Sequence, residues 1–295
     1  MVLVDAGLTP EQRRLVGDHV ALVPAPAGLH AIFLAPVGPL SVPADVAVIL
    51  DADVIVVRPL TPLIDKARSG RLVAFTNNEP NDDRFFPEWR STLTLGPLVR
   101  RSYLNAGQLV IPASLREKVV LPWVEGQSTL DLRRTWLGTA KLSDPFYFAD
   151  QDVLNAVVAA NLVDDELVTL DHRLAPHPPF PGLRLLDAEH LVCGYANGER
   201  PYLLHHTMAK PWLEATKSNV YTRLLPRVVL APDVALRLDR KLLPLRLREG
   251  KPAGIDRRRA TLQAVLRAQA RRQLGRFGVR TSLRAWRHRH RAGGL

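Results

Sequence analysis

VAVILDADVIVV, residues 46–57, is an apolar run interrupted only by Asp51 and Asp53. A run of this kind is how a strand covered on both faces reads, and such strands are usually parallel ones flanked by helices. Residues two apart in a strand share a face, so Asp51 and Asp53 are expected side by side with Ala52 pointing away. Burying an unpartnered carboxylate costs several kcal/mol. Two adjacent carboxylates also repel each other unless a cation lies between them. An all-oxygen ligand pair of this size suits Mg²⁺ or Mn²⁺. The place fits as well, because open α/β sheets hold ligands at the carboxyl ends of their strands. The plainer alternative makes both residues strand-end caps or loop acids, since a lone Asp-x-Asp also arises by chance.

Working outward, the pattern alternates strands and helices. VLV (2–4) reads as a strand, and Thr9-Pro10-Glu11-Gln12 as a helix start with a Thr N-cap, Pro in the first turn and Gln at the capping-box position. ALVPAP (21–26) predicts a short strand. Pro59 and Pro62 end the aspartate run, LTPLIDKARSG (60–70) predicts a helix closed by Gly70, and RLVAF (71–75) a further strand. NNEPNDDRFFPEW (77–89) is polar and proline-punctuated, which predicts a surface loop. LNAGQLVIPA (104–113), LVTLD (167–171) and YLLHH (202–206) predict strands, and DQDVLNAVVAANL (150–162) a helix. Together these predict an α/β fold with a mostly parallel sheet.

The chain has 295 residues and is 46% hydrophobic, enough for a substantial core, which excludes wholesale disorder. Its one cysteine, Cys193, forms no internal disulfide, no stretch approaches the roughly 20 apolar residues of a membrane span, and the start lacks a secretory pattern. These features predict a cytoplasmic protein. The net charge of +11 is unevenly spread. Residues 231–295 hold 18 Lys and Arg against 4 acids, whereas residues 1–230 hold 22 basic and 25 acidic residues. A globular domain over 1–230 followed by a basic helical tail over 231–295 is therefore expected. In that tail Leu262, Val265, Leu266, Ala270 and Leu274 share a broad helical face, which Gly275 and Gly278 then weaken. Such a helix either packs on the domain or lies on an anionic membrane surface, with Phe277 and Trp286 near the interface. Nucleic-acid binding has little beyond charge to support it, as aromatic residues make up only 6% of the chain and no DNA- or RNA-binding module is recognisable.

Four stretches in order over residues 46–212 carry a resemblance: VILDADVIVVRPLTPL, YLNAGQLVI, FADQDVLNAVV and LLHHTMAKPW. They resemble the glycogenin-like glycosyltransferases of family eight and their bacterial relatives, which have the GT-A, nucleotide-diphospho-sugar transferase fold. The resemblance implies a Rossmann-like mixed, mostly parallel sheet flanked by helices. It also implies transfer of a hexose from a UDP-sugar to a glycan, glycolipid or cell-envelope acceptor, mostly with retention of configuration. It makes Asp51, Asp53 and a histidine the ligands of Mn²⁺ or Mg²⁺, with His205 preferred to His206. Asn105, Asp152 and Lys210 become substrate-binding residues, and Asp150 and Gln151 become the catalytic candidates. Asn105 also reads as a turn residue before Gly107, and Asp150 as a helix N-cap. The sequence departs from the family in three ways. The usual first strand–helix unit is absent ahead of VLVDAGLTPEQ, no basic residue stands in 31–46, and Thr76-Asn77 replaces an aspartate after RLVAF. The competing expectation is a sugar-nucleotide-binding protein of the same fold without turnover. With the basic tail, the acceptor side points to the inner face of a membrane.

Overall fold

A computed structural model describes residues 1–77, 84–207, 210–248 and 251–276. In chain order the elements are β1 (Val2–Asp5), α1 (Pro10–Gly17), β2 (Ala21–Pro24), α2 (Val37–Ser41), β3 (Val46–Leu50), β4 (Val54–Val56), α3 (Thr61–Arg68), β5 (Leu72–Thr76), α4 (Glu88–Thr92), β6 (Leu104–Pro112), α5 (Leu121–Ser128), α6 (Asp150–Asn161), β7 (Leu167–Leu170), β8 (Arg184–Asp187), β9 (Val192–Gly194), β10 (Leu203–His205), α7 (Val220–Leu230) and α8 (Lys251–Arg276). They divide into two compact units, Met1–His177 with Glu199–His205, and Pro178–Gly198 with His206–Leu295. The change of charge near residue 230 falls inside the second unit.

The first unit is α/β, with a mixed sheet flanked by helices. Its four-stranded sheet has the order β3-β6-β5-β7, in which β6 runs antiparallel to both neighbours and β5 pairs with β7 in parallel. Parallel pairing among the described residues is thus confined to β5–β7 and to the separate β1–β2 pair. Parallel pairing is less prevalent than the apolar runs predict, because such runs report burial on both faces, and a central antiparallel strand meets that condition equally well. Every residue of β6 is buried.

The expected single strand over 46–57 is two strands joined by a turn. β3 pairs with β6, β4 pairs with β10, both antiparallel, and the Val54 amide donates to the Asp51 carbonyl at 3.1 Å across the break. Asp51 and Asp53 therefore sit in a turn and not side by side on a strand. The carboxylates supply the reason: a turn lets Asp51 keep contact with water, which an uninterrupted buried strand would deny it.

One face of the sheet carries α5 and α6. Ile49, Leu72, Ala74, Leu109 and Ile111 pack there with Trp123, Val153, Leu154, Val157 and Val158. On the other face Leu63 and Ala67 of α3 pack with Val73, Phe75, Val110 and Leu203. Each large apolar side chain so buried contributes roughly 1.5–3 kcal/mol. α3 ends at Gly70, whose φ of 87° is the left-handed conformation that closes a helix without a Cβ penalty. α1 starts with the expected Thr9–Gln12 capping box. A π-helical turn over Arg116–Val120 leads directly into α5, a feature the periodicity did not disclose.

The expected surface loop over 77–89 is different where it is described. Arg84 and Trp89 are buried, and Phe85 and Phe86 pack on Trp89 beside Tyr103. The aromatic residues at the end of this stretch are buried together, which its polar, proline-punctuated composition did not disclose.

In the second unit β8 and β9 form an antiparallel hairpin, and α7 starts with an Asn219–Thr222 capping box. α8 buries Ala253 and Ala260, about half a turn away from the apolar face expected of it. Leu262, Leu266 and Ala270 are exposed and Val265 is half-buried. The small alanine side lets the helix backbone lie close to the Leu245–Leu247 turn, so the bulky side faces outward. The helix runs past Gly275 to Arg276, while Phe277, Gly278, Trp286 and the side chain of Leu274 lie outside the described residues. Among the described residues no helix is long and apolar enough to cross a membrane.

Candidate metal centre

The turn after β3 and the end of β10 bring Asp51, Asp53 and His205 together, each offering one ligand atom within 4.8 Å of the others. His205 Nε2 lies 3.2 Å from Oδ2 of Asp51 and 3.1 Å from Oδ1 of Asp53. Asp53 and His205 are buried, whereas Asp51 is half-exposed at the mouth. Burial pulls the His205 imidazole down, but hydrogen bonds to Asp51 and Asp53 outweigh it and raise its pKa above the usual value. His205 Nδ1 is buried without a hydrogen-bond partner.

Two further observations show that the residues fit a divalent cation. The donor set is two carboxylate oxygens and an imidazole, which suits Mn²⁺ or Mg²⁺ chemistry. A Cβ built on Gly107 would stand 2.3 Å from Asp51 Oδ2 and 2.9 Å from His205 Cε1, so the cluster closes over a residue with no side chain. His206, the other candidate, belongs to the second unit. Its ring packs on Tyr221 and Phe180, and its Nε2 lies 3.5 Å from Asn219 Nδ2.

Strand irregularity shapes the floor of the site. Ala74 pairs with Leu109 and Thr76 with Leu104, so four residues, Asn105 to Gln108, stand opposite Phe75 alone. Bulges bend a strand and re-aim its side chains. Here the bulge carries Asn105, whose Oδ1 accepts from the Gly107 amide at 2.9 Å, as a turn residue would. Its Nδ2 lies 3.5 Å from Asn77 Oδ1 and 3.4 Å from His177 Nε2. His177 and Asn77 are buried polar residues that sequence reasoning did not select, although Asn77 stands where the family pattern flagged a departure. Burial, aided by His205, pulls the His177 pKa down to about 3, so the ring is neutral. Its ring centroid is 4.9 Å from that of His205.

α6 delivers the other expected residues. Asp150 is half-buried, and burial followed by the charge of Asp51 pushes its pKa well above the carboxylate range. Its side chain makes no N-cap bond, because the cap position is Ala149. Gln151 Oε1 accepts from the Ala106 amide in the bulge at 3.2 Å.

Asp152 departs from the substrate contact expected of it. It is fully buried and bound by Arg84, by the Tyr103 hydroxyl at 2.8 Å and by the Phe148 amide at 2.6 Å, so its oxygens are already occupied. The helical period turns residue 152 toward the core. Lys210 belongs to the second unit, where its Nζ donates to the His206 carbonyl at 3.0 Å.

No family model and no curated protein matches the chain. Among solved structures it is similar to the galactosyltransferase LgtC in complex with donor and acceptor sugar analogs, at 18% identity and a TM-score of 0.45, over 79% of this chain and 86% of that one. It is also similar to an active-site mutant of LgtC, at 18% identity and a TM-score of 0.46 over the same shares of the two chains.

Proposed function

We propose that the chain is a metal-dependent glycosyltransferase with a GT-A fold, transferring a hexose from a UDP-sugar to a glycan or lipid-linked acceptor with retention of configuration. The observation that carries this reading is the convergence of Asp51, Asp53 and His205 beside Gly107, where Gln151 at the start of α6 is tied to the neighbouring Ala106 amide. A bound Mn²⁺ or Mg²⁺ would supply Lewis acidity toward the diphosphate leaving group. The chain's own residues do the rest. Asp51, Asp53 and His205 hold the cation, and Asn105 and Gln151 offer amides to sugar hydroxyls. Asp150 positions the acceptor hydroxyl.

The membrane part of the reading is favoured by α8. Ile255, Leu262 and Leu266 lie within a narrow outward stripe and are 72%, 60% and 55% exposed, with Arg258 and Arg259 exposed beside them. An apolar stripe flanked by arginines suits an anionic bilayer, where a lipid-linked acceptor would reside.

The test is thermal unfolding with Mn²⁺, alone and with UDP. A ligand of the native state raises the melting temperature by mass action. Mn²⁺ is expected to raise it, UDP to raise it further only when Mn²⁺ is present, and Asp53→Ala to abolish both shifts while remaining folded. An unchanged shift in Asp53→Ala removes the aspartates from the site. Metal-dependent UDP stabilisation without hydrolysis of any UDP-hexose supports the binding protein without turnover.

A further inference from the structure

Asn77, Asn105 and His177 are three polar side chains gathered at the bulge of β6, and they are only 9%, 4% and 5% exposed. Their hydrogen-bond roles follow from one strong bond. The Gly107 amide donates to Asn105 Oδ1 at 2.9 Å, so the other end of that carboxamide is the nitrogen, which can only donate. Asn105 Nδ2 faces two atoms, Asn77 Oδ1 at 3.5 Å and His177 Nε2 at 3.4 Å, and both must accept. An imidazole that accepts through Nε2 carries its proton on Nδ1, and a carboxamide that accepts through Oδ1 keeps both protons of its Nδ2. Each of the two side chains is therefore left with N–H to give. Among the described residues neither Asn77 Nδ2 nor His177 Nδ1 finds an acceptor.

The bonds within the cluster are also long. Hydrogen bonds of full strength to a nitrogen donor run to about 3.2 Å. Buried polar groups that are not matched at that strength cost stability, so three of them together stabilise the fold less than an apolar cluster of the same size. Their unused N–H groups call for a ligand oxygen.

The location narrows the ligand. The His177 ring lies against that of His205, with centroids 4.9 Å apart, and Gly107, which ties down Asn105, is the residue over which Asp51 and His205 close. The cluster thus adjoins the metal site, within reach of a group joined to a metal-bound diphosphate. Its three side chains offer neutral N–H groups, which suit a hydroxyl. A phosphate is matched better by cations and helix N-termini.

We propose that Asn77 and His177, together with Asn105, hold hydroxyls of the hexose in the donor. The proposal rests on the glycosyltransferase reading and adds to it two sugar-binding residues that lie outside the four motif stretches. Asn77 gives its Nδ2 protons and His177 its Nδ1 proton to the sugar oxygens.

The experiment is calorimetric titration of the full chain in the presence of Mn²⁺, with UDP, UDP-glucose and UDP-galactose as separate ligands. Wild type is compared with Asn77→Ala, which deletes one carboxamide, and with His177→Phe, which keeps a ring against His205 and removes both nitrogens. Each substitution is expected to weaken binding of the UDP-hexose about 10-fold, the effect of losing roughly one hydrogen bond, and to leave UDP within about twofold of wild type. Retained UDP binding also shows that the variant is folded. Equal weakening of UDP and UDP-hexose assigns the two residues to the diphosphate and overturns the hexose contact. Folded variants that bind all three ligands as wild type does overturn it as well. If His177→Phe does not fold, Asn77→Ala decides alone. A wild type that binds no UDP in the presence of Mn²⁺ brings down the glycosyltransferase reading, and the hexose contact with it.

Discussion

A methyl group on Gly107 would meet Asp51 Oδ2 and His205 Cε1 before it met any backbone. The nearer atom is the end of a half-exposed aspartate, which can rotate away. The His205 ring, 2.9 Å away and buried, must give as well, so Gly107→Ala is expected to cost the ~1–3 kcal/mol of an overpacked core. The displaced carboxylate would leave the metal cluster. The Mn²⁺-dependent rise in melting temperature should vanish in Gly107→Ala, while its melting temperature without metal falls only by what that cost implies. A retained Mn²⁺ response would mean that Asp51 is no ligand. Most residue-level chemistry has this character here: Asp53 and His205 are buried, so Asp51 is the ligand free to adjust.

At the scale of elements, α6 and β6 make the site by being irregular. The bulge of β6 presents four residues to one on β5 and binds Gln151 through the Ala106 amide. α6 follows directly on the strained Ala149, at φ 50° and ψ −110°, which is fully buried. Strain of this kind costs on the order of 1–3 kcal/mol, while glycine loses roughly 0.5–1 kcal/mol more chain entropy than alanine on folding. The relief offsets both the entropic loss and the buried methyl given up, worth about 0.8 kcal/mol, so Ala149→Gly is expected to leave the stability read from urea unfolding near that of wild type. Its looser turn should at the same time lower turnover of a UDP-hexose. A destabilised Ala149→Gly would show that the turn is not strained.

For the whole molecule, the distribution of charge matters more than its sum. Residues 231–295 carry 18 of the 40 basic residues, and α8 turns Ile255, Leu262 and Leu266 outward. Basic residues near an anionic bilayer contribute about 1 kcal/mol each, and salt weakens that attraction. The full chain is expected to co-sediment with phosphatidylglycerol-containing vesicles at low salt and not with phosphatidylcholine alone. Replacing Ile255, Leu262 and Leu266 together by glutamine preserves helix propensity and leaves buried Ala253 and Ala260 in place. That variant should bind the anionic vesicles more weakly, with stability retained. Undiminished binding would assign the interaction to charge without the apolar stripe.

The sequence by itself determined the local elements, because each depends on neighbours in the chain. The Thr9 capping box, the helix closed at Gly70, the helix over Asp150–Asn161 and the buried strand over Leu104–Pro112 were all legible from period and punctuation. The pairing of Asp51 with Asp53 was legible too, since two acids in an apolar run need a partner. Only the tertiary structure decided how that need is met. It broke the run into β3 and β4, set Asp51 and Asp53 in the turn, and brought His205 to them from about 150 residues away in the chain. It turned Asp152 inward to Arg84, a residue inside a stretch that reads as a surface loop, and it placed Asn77 and His177 around Asn105. No local pattern encodes these contacts. They arise because charges and amides buried by packing must find partners wherever the fold supplies them.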